Sequence, residues 1–198
     1  MKYYDLTMSI DENTPVFPGD AKPEIAQSGS VKEGGYNTKK LTIGSHFGTH
    51  IDVPYHMLED GKKLTDFPIE KFIGQGVVIR LEDKMSLVGV KEGDIVFFFT
   101  GHTDKAHKKE FFENNPTISK EIALELVKRK INIVGIDSYT PDNYPYEVHK
   151  IFLKQDILIV ENLVGLKPLV GKRAIFHILP LKIKDGDGAP CRVVAELG

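Results

Sequence analysis

Residues 45–56 read Ser-His-Phe-Gly-Thr-His-Ile-Asp-Val-Pro-Tyr-His, and four of these side chains are of types that commonly bind metal ions. They are His46, His50, Asp52 and His56, spaced four, two and four positions apart. In a strand all four would share a face, but at about 3.3 Å per residue the outer histidines would lie about 33 Å apart. In a helix, about 100° per residue would turn Asp52 and His56 away from the other two. The spacing therefore predicts an irregular, curled loop, in which Gly48 allows a tight turn and Pro54 keeps the preceding residue extended.

The residue types in this loop point to a catalytic metal site. Imidazole nitrogen and carboxylate oxygen bind Zn²⁺ at about 2.0–2.2 Å, and they also suit Mn²⁺ and Fe²⁺. Two histidines and an aspartate leave one coordination position open for water, whereas structural zinc is usually closed by four protein ligands. The alternative is a group of surface histidines that stabilise turns. Candidates for further ligands are His149, on a predicted helix, and Glu161, at the end of a predicted strand.

Outward from this loop, the chain carries more strand signals than helix signals. Runs rich in β-branched and aromatic residues predict strands at Leu41–Ile43, Val77–Leu81, Ile95–Phe99, Ile131–Ile136, Ile157–Val160, Ala174–Leu179 and Arg192–Ala195. Helices are predicted over Ser119–Lys130 and Tyr146–Lys154. Several strands are apolar on both faces, which is typical of a sheet covered on each side. These elements predict an α/β fold in one domain over residues 1–198.

Composition excludes several classes of partner. Lys and Arg number 26 against 28 Asp and Glu, a net charge of −2, so there is no basic footprint for nucleic acid. The longest aliphatic and aromatic run, Ile95–Phe99, is far shorter than the ~20 residues that cross a bilayer. The first residues lack the apolar core of a signal peptide, and we expect a cytoplasmic protein. Because Cys191 is the single cysteine, thiolate-rich metal sites are excluded.

The segment from His46 to His56 resembles the signature His-x-Gly-Thr-His-x-Asp-x-Pro-x-His of the cyclase family of metal-dependent hydrolases, which includes bacterial kynurenine formamidase and isatin hydrolase. Further matching stretches are Asp5-Leu6-Thr7, Pro15-Val16-Phe17-Pro18-Gly19-Asp20, Gly135-Ile136-Asp137, Glu161-Asn162-Leu163 and Pro190-Cys191-Arg192. The resemblance implies a β-rich swivelling β/β/α fold, with a barrel-like mixed sheet and few helices. It also implies assembly as homodimers or tetramers.

The same resemblance implies a role for each candidate residue. The metal ligands would be His46, His50 and Asp52 for one ion and Asp52, His149 and Glu161 for a second, with Asp52 and Glu161 bridging. His149 and Glu161 are twelve positions apart, as in the family. His56 would carry protons during catalysis, and Glu161 would take part in proton transfer. One or two divalent ions are expected, with Zn²⁺ first and Mn²⁺ or Fe²⁺ as alternatives.

One position departs from the family pattern. Where the formamidases carry Trp in a Trp-Pro-Gly-Asp motif, this chain has Phe17, and it contains no Trp. Phe keeps an apolar face that can stack on an aromatic substrate, but it lacks the indole N–H donor. Phe17 is therefore a candidate substrate contact or a core residue. The departure leaves the identity of the substrate open.

We expect metal-dependent hydrolysis of an amide or formamide C–N bond in a small aromatic or carboxylate-bearing substrate. Metal-activated water would attack, with His56 as the proton shuttle. One form of this reaction is arylformamidase activity, which converts N-formylkynurenine to kynurenine and formate in tryptophan catabolism. Two alternatives stay open, namely cyclisation or isomerisation by the same residues, and a metal- or ligand-binding module without turnover.

Overall fold

The computed structural model describes residues 1–82 and 87–198, which form ten strands and three α-helices. The strands are β1 (Lys2–Asp5), β2 (Glu24–Gly29), β3 (Thr38–Thr42), β4 (His50–Asp52), β5 (Ile73–Arg80), β6 (Ile95–Phe99), β7 (Ile133–Ile136), β8 (Leu158–Glu161), β9 (Arg173–Pro180) and β10 (Gly188–Leu197). The helices are α1 (Val31–Gly34), α2 (Lys120–Lys128) and α3 (Glu147–Leu153). Of the helices in the described ranges, none has the length and apolar content needed to span a bilayer.

Seven strands close into a mixed barrel. Their order is β10-β4-β8-β7-β6-β5-β9, and β9 pairs with β10 to complete the circle, while β1 lies outside against β10. Strands β5 to β8 are parallel, because α2 and α3 supply the crossover connections from β6 to β7 and from β7 to β8. The pairings of β4, β9 and β10 are antiparallel. This arrangement confirms the predicted β-rich α/β fold with a barrel-like sheet and few helices.

Side-chain alternation along the strands divides the core into two layers. Phe97 belongs to the first layer, where its ring centroid lies 4.6 Å from that of Phe176. The next residue, Phe98, points to the opposite face and packs in the layer that holds Leu126 of α2 and Phe152 of α3. All five side chains are fully buried. Strand β6 is therefore covered on both faces, as its sequence predicts.

All the predicted strands and helices overlap observed ones, and the elements that the sequence analysis missed include the largely exposed strand β2. Strands β5 to β10 overlap the six predicted runs from Val77 onward, and α2 and α3 lie within the predicted helices. Ser119 caps α2, because its hydroxyl accepts a hydrogen bond from the Ile122 N–H at 3.3 Å. The run Leu41–Ile43 overlaps β3, which pairs with β2 in a hairpin separate from the barrel. Most residues of this hairpin are exposed, so it has no alternating apolar pattern.

Candidate metal centre and active site

The predicted curled loop over residues 46–56 is wrong at its centre, where residues 50–52 form strand β4 of the barrel. A strand places His50 and Asp52, two positions apart, on one face. Gly48 turns the chain before the strand with a φ of +62°, and a 3-10 helix over Pro54–His56 turns it afterwards. Because both flanks fold back, the segment never reaches the extended length that argued against a strand.

The folded-back flanks bring the outer histidines to the strand. The Nδ1 atom of His46 lies 2.7 Å from Oδ1 of Asp52. The ring of His56 lies against the ring of His46, with their centroids 4.1 Å apart. The spacing of four, two and four is thus explained by three consecutive local structures, a turn, a short strand and a 3-10 helix.

Strand pairing brings in Glu161. Strand β8 is antiparallel to β4, and its register places Glu161 directly opposite His50. The Oε2 atom of Glu161 lies 3.2 Å from Nε2 of His50. Both side chains are buried. Glu161 is the last residue of β8, so the predicted position of a carboxylate at a strand end is correct.

Helix α3 supplies His149, which is also buried. Its Nε2 atom lies 3.2 Å from Oε1 of Glu161 and 3.7 Å from Oδ2 of Asp52. The other ring nitrogen, Nδ1, lies 2.5 Å from Oδ1 of Asp142. The second oxygen of Asp142 accepts a hydrogen bond from the Val148 N–H at 2.7 Å. Asp142 therefore anchors both the first turn of α3 and the ring of His149.

The three histidines proposed as metal ligands each have one ring nitrogen that points away from Asp52 and Glu161. Each of these nitrogens contacts its own hydrogen-bond acceptor. The acceptors are Asp187 Oδ2 for His46 Nε2 at 2.8 Å, the Gly48 carbonyl for His50 Nδ1 at 2.9 Å, and Asp142 Oδ1 for His149 Nδ1. Metal-binding histidines almost always donate their second N–H to such an acceptor, which fixes the tautomer. The nitrogens left for an ion are therefore Nδ1 of His46 and Nε2 of His50 and His149.

These residues fit a divalent metal ion. Within residues 1–82 and 87–198, Asp52 Oδ2 and Glu161 Oε1 are buried oxygens without a hydrogen-bond partner. Two ligand atoms that bind one ion at about 2.0–2.2 Å can lie at most about 4.4 Å from each other. Here the histidine nitrogens lie 2.7 to 3.7 Å from the carboxylate oxygens that face them. Two groups of three donor atoms each fall within 4.8 Å, His46 with Asp52 and His56, and His50 with Asp52 and Glu161. His56 is thus close enough to be counted with the ligands, although the family resemblance implies that it is the proton carrier.

Two histidines of the site, His46 and His149, bind protons strongly because they face carboxylates. Burial alone would lower the pKa of His46, but the charge of Asp52 and hydrogen bonds to Asp187 and Asp52 raise it to about 9. Burial likewise acts to lower the pKa of His149, yet its hydrogen bonds, with that to Asp142 the strongest, raise it to about 10. A site that attracts protons this strongly also attracts a divalent cation, which competes for the same nitrogens.

Two other groups shift in the opposite direction. Burial acts to raise the pKa of Asp52, but the neighbouring charge of His46 and hydrogen bonds from the imidazoles hold it well below its usual range. For His56 burial dominates, and it lowers the pKa below the ordinary value of 6.5. At neutral pH Asp52 is therefore a carboxylate and His56 a neutral imidazole, the forms needed for a metal ligand and a proton acceptor.

The site opens into a cavity of about 210 Å³. His46, His50, His56, His149 and Glu161 contribute to its lining, together with the aromatic residues Phe17, Phe111, Phe112, Tyr139 and Tyr146. Phe17 is 40% exposed and is not a core residue, and its ring centroid lies 6.0 Å from that of Tyr139. The cavity therefore combines a polar cluster with aromatic walls, a combination typical of sites for small aromatic ligands.

The structure brings together the six residues predicted as metal ligands or proton carriers, and it adds two carboxylates, Asp142 and Asp187, that the sequence analysis missed. Asp142 follows Pro141 just ahead of α3, and Asp187 lies between two glycines, positions that suggest turns. Nothing in those turns indicates which histidine each carboxylate contacts. The roles of the six residues in binding and catalysis stay predictions.

Comparison with known proteins agrees with this geometry. The Cyclase family model matches residues 4–143. The chain belongs to the Cyclase family. The sequence resemblance is thereby confirmed.

Full-length relatives support this membership in the Cyclase family. An uncharacterized protein of Methanocaldococcus jannaschii is 37% identical over 199 residues, covering 100% of both chains. A kynurenine formamidase of Bacillus cereus is 31% identical over 205 residues, covering 98% of this chain and 96% of its own. A solved isatin hydrolase, bound to the product analogue thioisatinate, has a TM-score of 0.89 with 21% identity. It covers 98% of this chain and 91% of its own, and it shows the shared fold.

Relatives and site together support a metal-dependent amidohydrolase of the Cyclase family that uses a divalent ion.

Proposed function

We propose that this protein hydrolyses the C–N bond of a small aromatic amide or formamide. The observation that carries the proposal is the convergence of His46, His50, Asp52, His149 and Glu161, with His56 beside them, on one aromatic-lined cavity. Residues 1–198 act as one catalytic domain in this proposal. The 31% identity to a kynurenine formamidase over nearly the whole chain supports the reaction class.

The metal would be held at two positions that share Asp52. The first position uses His46 Nδ1, His50 Nε2 and Asp52 Oδ1, and the second uses His149 Nε2, Glu161 Oε1 and Asp52 Oδ2. We propose Zn²⁺, since nitrogen and carboxylate donors suit it, with Mn²⁺ and Fe²⁺ as the alternatives to test. When bound, a divalent ion polarises a carbonyl oxygen and lowers the pKa of water from 15.7 toward about 7.

His56 is the proposed proton carrier. Its lowered pKa keeps the imidazole neutral near pH 7, so it can accept a proton from the attacking water. The water oxygen bonds to the carbonyl carbon, the C–N bond breaks, and His56 returns its proton to the leaving nitrogen. When only the first metal position is filled, Oε1 of Glu161, which has no hydrogen-bond partner in the described chain, can accept a hydrogen bond from the same water. The products are a carboxylic acid and an amine.

The aromatic walls select the substrate in this proposal. Phe17 and Tyr139 line the cavity and pack against each other, with their ring centroids 6.0 Å apart. This distance is within the range of about 4.5–7 Å that tilted aromatic pairs favour, so the two rings form one apolar surface for an aromatic substrate. Arylformamides such as N-formylkynurenine, and lactams such as isatin, carry an aromatic ring next to the C–N bond that breaks. These two compounds are therefore the first substrates to assay.

The test uses chelator-treated protein reloaded with one metal at a time. We expect the metal to restore turnover of at least one aromatic amide, and H56A to lower kcat by about 10²–10⁴ with the metal content unchanged. H107A is the matched control, because His107 is exposed and lies outside the cavity lining. Full activity without metal, or wild-type turnover by H56A, contradicts the mechanism.

The same assay separates the alternatives. Hydrolysis incorporates oxygen from ¹⁸O-labelled water into the product, whereas cyclisation and isomerisation do not. Protein that retains stoichiometric metal but turns over no compound in the panel behaves as a binding module. Metal analysis of the purified protein tests the choice of Zn²⁺.

We further propose that two copies associate through the hairpin β2–β3. A two-stranded hairpin is marginally stable by itself, and this one leaves Leu41 49% exposed beside a groove that Leu179 and Leu181 also line. Light scattering should give a dimer for the wild type and a monomer for L41E. A monomeric wild type contradicts this part of the proposal. Cytoplasmic location stays a prediction from the sequence, to be tested by fractionation.

A further inference from the structure

One carboxylate oxygen lies beside two histidines of the site. Oδ2 of Asp187 is 2.8 Å from Nε2 of His46 and 3.9 Å from Nδ1 of His56. The rings of these two histidines lie against each other, 4.1 Å between centroids with an angle of 38° between their planes. Asp187 therefore sits at the junction between a proposed metal ligand and the proposed proton carrier.

The backbone of Asp187 is held by the barrel. Its carbonyl accepts a hydrogen bond from the Val53 N–H at 3.1 Å, and the next residue, Gly188, pairs with Asp52 where β10 meets β4. Asp187 thus immediately precedes strand β10, which pairs with the strand that carries His50 and Asp52. Its distance from His46 is fixed by the sheet, since the carboxylate is only two rotatable bonds from a paired backbone.

Gly188 shows how closely this strand approaches His46. A Cβ atom at this position would lie 2.9 Å from Cε1 of the His46 ring and 2.6 Å from the Ile51 carbonyl oxygen. The ring is therefore packed on the backbone of β10 on one side and on His56 on the other. Within these constraints, Nε2 of His46 contacts Asp187 while Nδ1 is turned toward Asp52.

We propose that Asp187 is a positioning residue, which holds His46 with Nδ1 directed at the metal and keeps the ring of His56 next to it. When an ion displaces the Nδ1 proton, His46 would still donate its Nε2–H to Asp187, so that its Nδ1 lone pair is available to the ion. Without Asp187, His46 can adopt the other tautomer, with a proton on Nδ1. This inference rests on the proposed metal site, and it adds to that site a residue that touches neither the ion nor the substrate.

The test measures metal affinity, which does not depend on turnover. Zn²⁺ binding by wild type, D187A, D187N and D185N is measured by competition with a chromophoric chelator, and the melting temperature of each metal-free protein is recorded. Loss of such an outer partner typically costs 10–100-fold in affinity, and we expect about that loss for D187A. D187N keeps one acceptor oxygen, so we expect it to recover part of the loss. D185N is the matched control, because Asp185 is exposed and pairs with Lys63 at 3.3 Å.

Each outcome has one meaning. Weaker binding by D187A and intermediate binding by D187N, with D185N like the wild type, support the inference. Wild-type affinity in D187A overturns it, even when D187A melts at a lower temperature, because the role would then be structural. If D187A does not fold, D187N decides, with weaker binding in support and unchanged binding against. A wild type that binds no Zn²⁺ overturns the proposed function as well, whereas a binding wild type with an unaffected D187A overturns only the role of Asp187.

Discussion

Replacing Gly188 by alanine should both destabilise the barrel and disturb the metal site. The added Cβ would lie 2.6 Å from the Ile51 carbonyl oxygen and 2.9 Å from Cε1 of His46, and real Cβ atoms essentially never lie closer than 3.0 Å to such neighbours. Overpacking of this kind costs about 1–3 kcal/mol. We expect the upper end of that range, because the nearer obstacle is backbone in a paired strand and cannot rotate away.

A cost of about 3 kcal/mol lowers the melting temperature of a chain this long by roughly 6–12 °C, at about 2–4 °C for each kcal/mol. Thermal unfolding by circular dichroism, in excess chelator, measures this effect without any contribution from metal. G74A is the matched control, since Gly74 also lies in a strand without a positive φ, and its added Cβ would meet Ile95 at an ordinary 3.5 Å. We expect G74A to be neutral or more stable by about 0.4–1 kcal/mol.

The second measurement is metal affinity. A Cβ at residue 188 has to push either the Ile51 carbonyl or the His46 ring, and movement of the ring weakens Zn²⁺ binding. The reasoning is refuted if G188A melts within about 2 °C of G74A, since that difference is below about 1 kcal/mol for a chain of this size.

Three further results are expected. The free energy of unfolding of D142A should be about 3–5 kcal/mol lower than that of the wild type, because the Val148 N–H and Nδ1 of His149 lose their buried acceptor. An unchanged midpoint of urea denaturation would contradict this. Cys191 should react with a thiol reagent only after denaturation, because burial raises the pKa of its thiol, and fast labelling of the native protein would show the reverse. In the metal-free protein the pKa of His46 is about 9, against about 6.5 in the unfolded chain. This difference stabilises the folded state fully below pH ~6.5, and the stabilisation is lost as the pH rises through about 9. Urea denaturation of chelator-treated protein at several pH values measures this loss, and a flat profile from pH ~6 to ~9.5 argues against it.

The fold could be predicted where the sequence records burial. Strand β6 reads as an apolar run because both of its faces are covered, and its bounds agree with the prediction. Of the hairpin β2–β3, only the end of β3 falls in a predicted run, since most side chains of the hairpin are exposed and follow no apolar period. The closure of the barrel by β9 and β10 is a long-range pairing, which apolar runs do not specify. The family resemblance, rather than periodicity, carried the prediction of a barrel-like sheet.

The site was predictable where its chemistry is local. The ligand types within residues 46–56 are adjacent in sequence, and their identity alone indicates a metal. Strand β4 was missed because three residues are too few to show a period, and because the eleven positions were treated as one element. Asp187 contacts a histidine 141 positions away. A contact at that separation leaves no local pattern to detect.

Strand β10 pairs with β1, β4 and β9, so one segment completes three interfaces of the sheet. A nascent chain emerges from its N-terminal side, and β4 keeps an unpaired edge until β10 has been synthesised. Before that moment His46 also lacks the carboxylate of Asp187, which in our proposal positions its ring for an ion. With the proposed metal site, capture of an ion at full affinity would therefore be a late step in biogenesis, which follows barrel closure and then opposes its reversal.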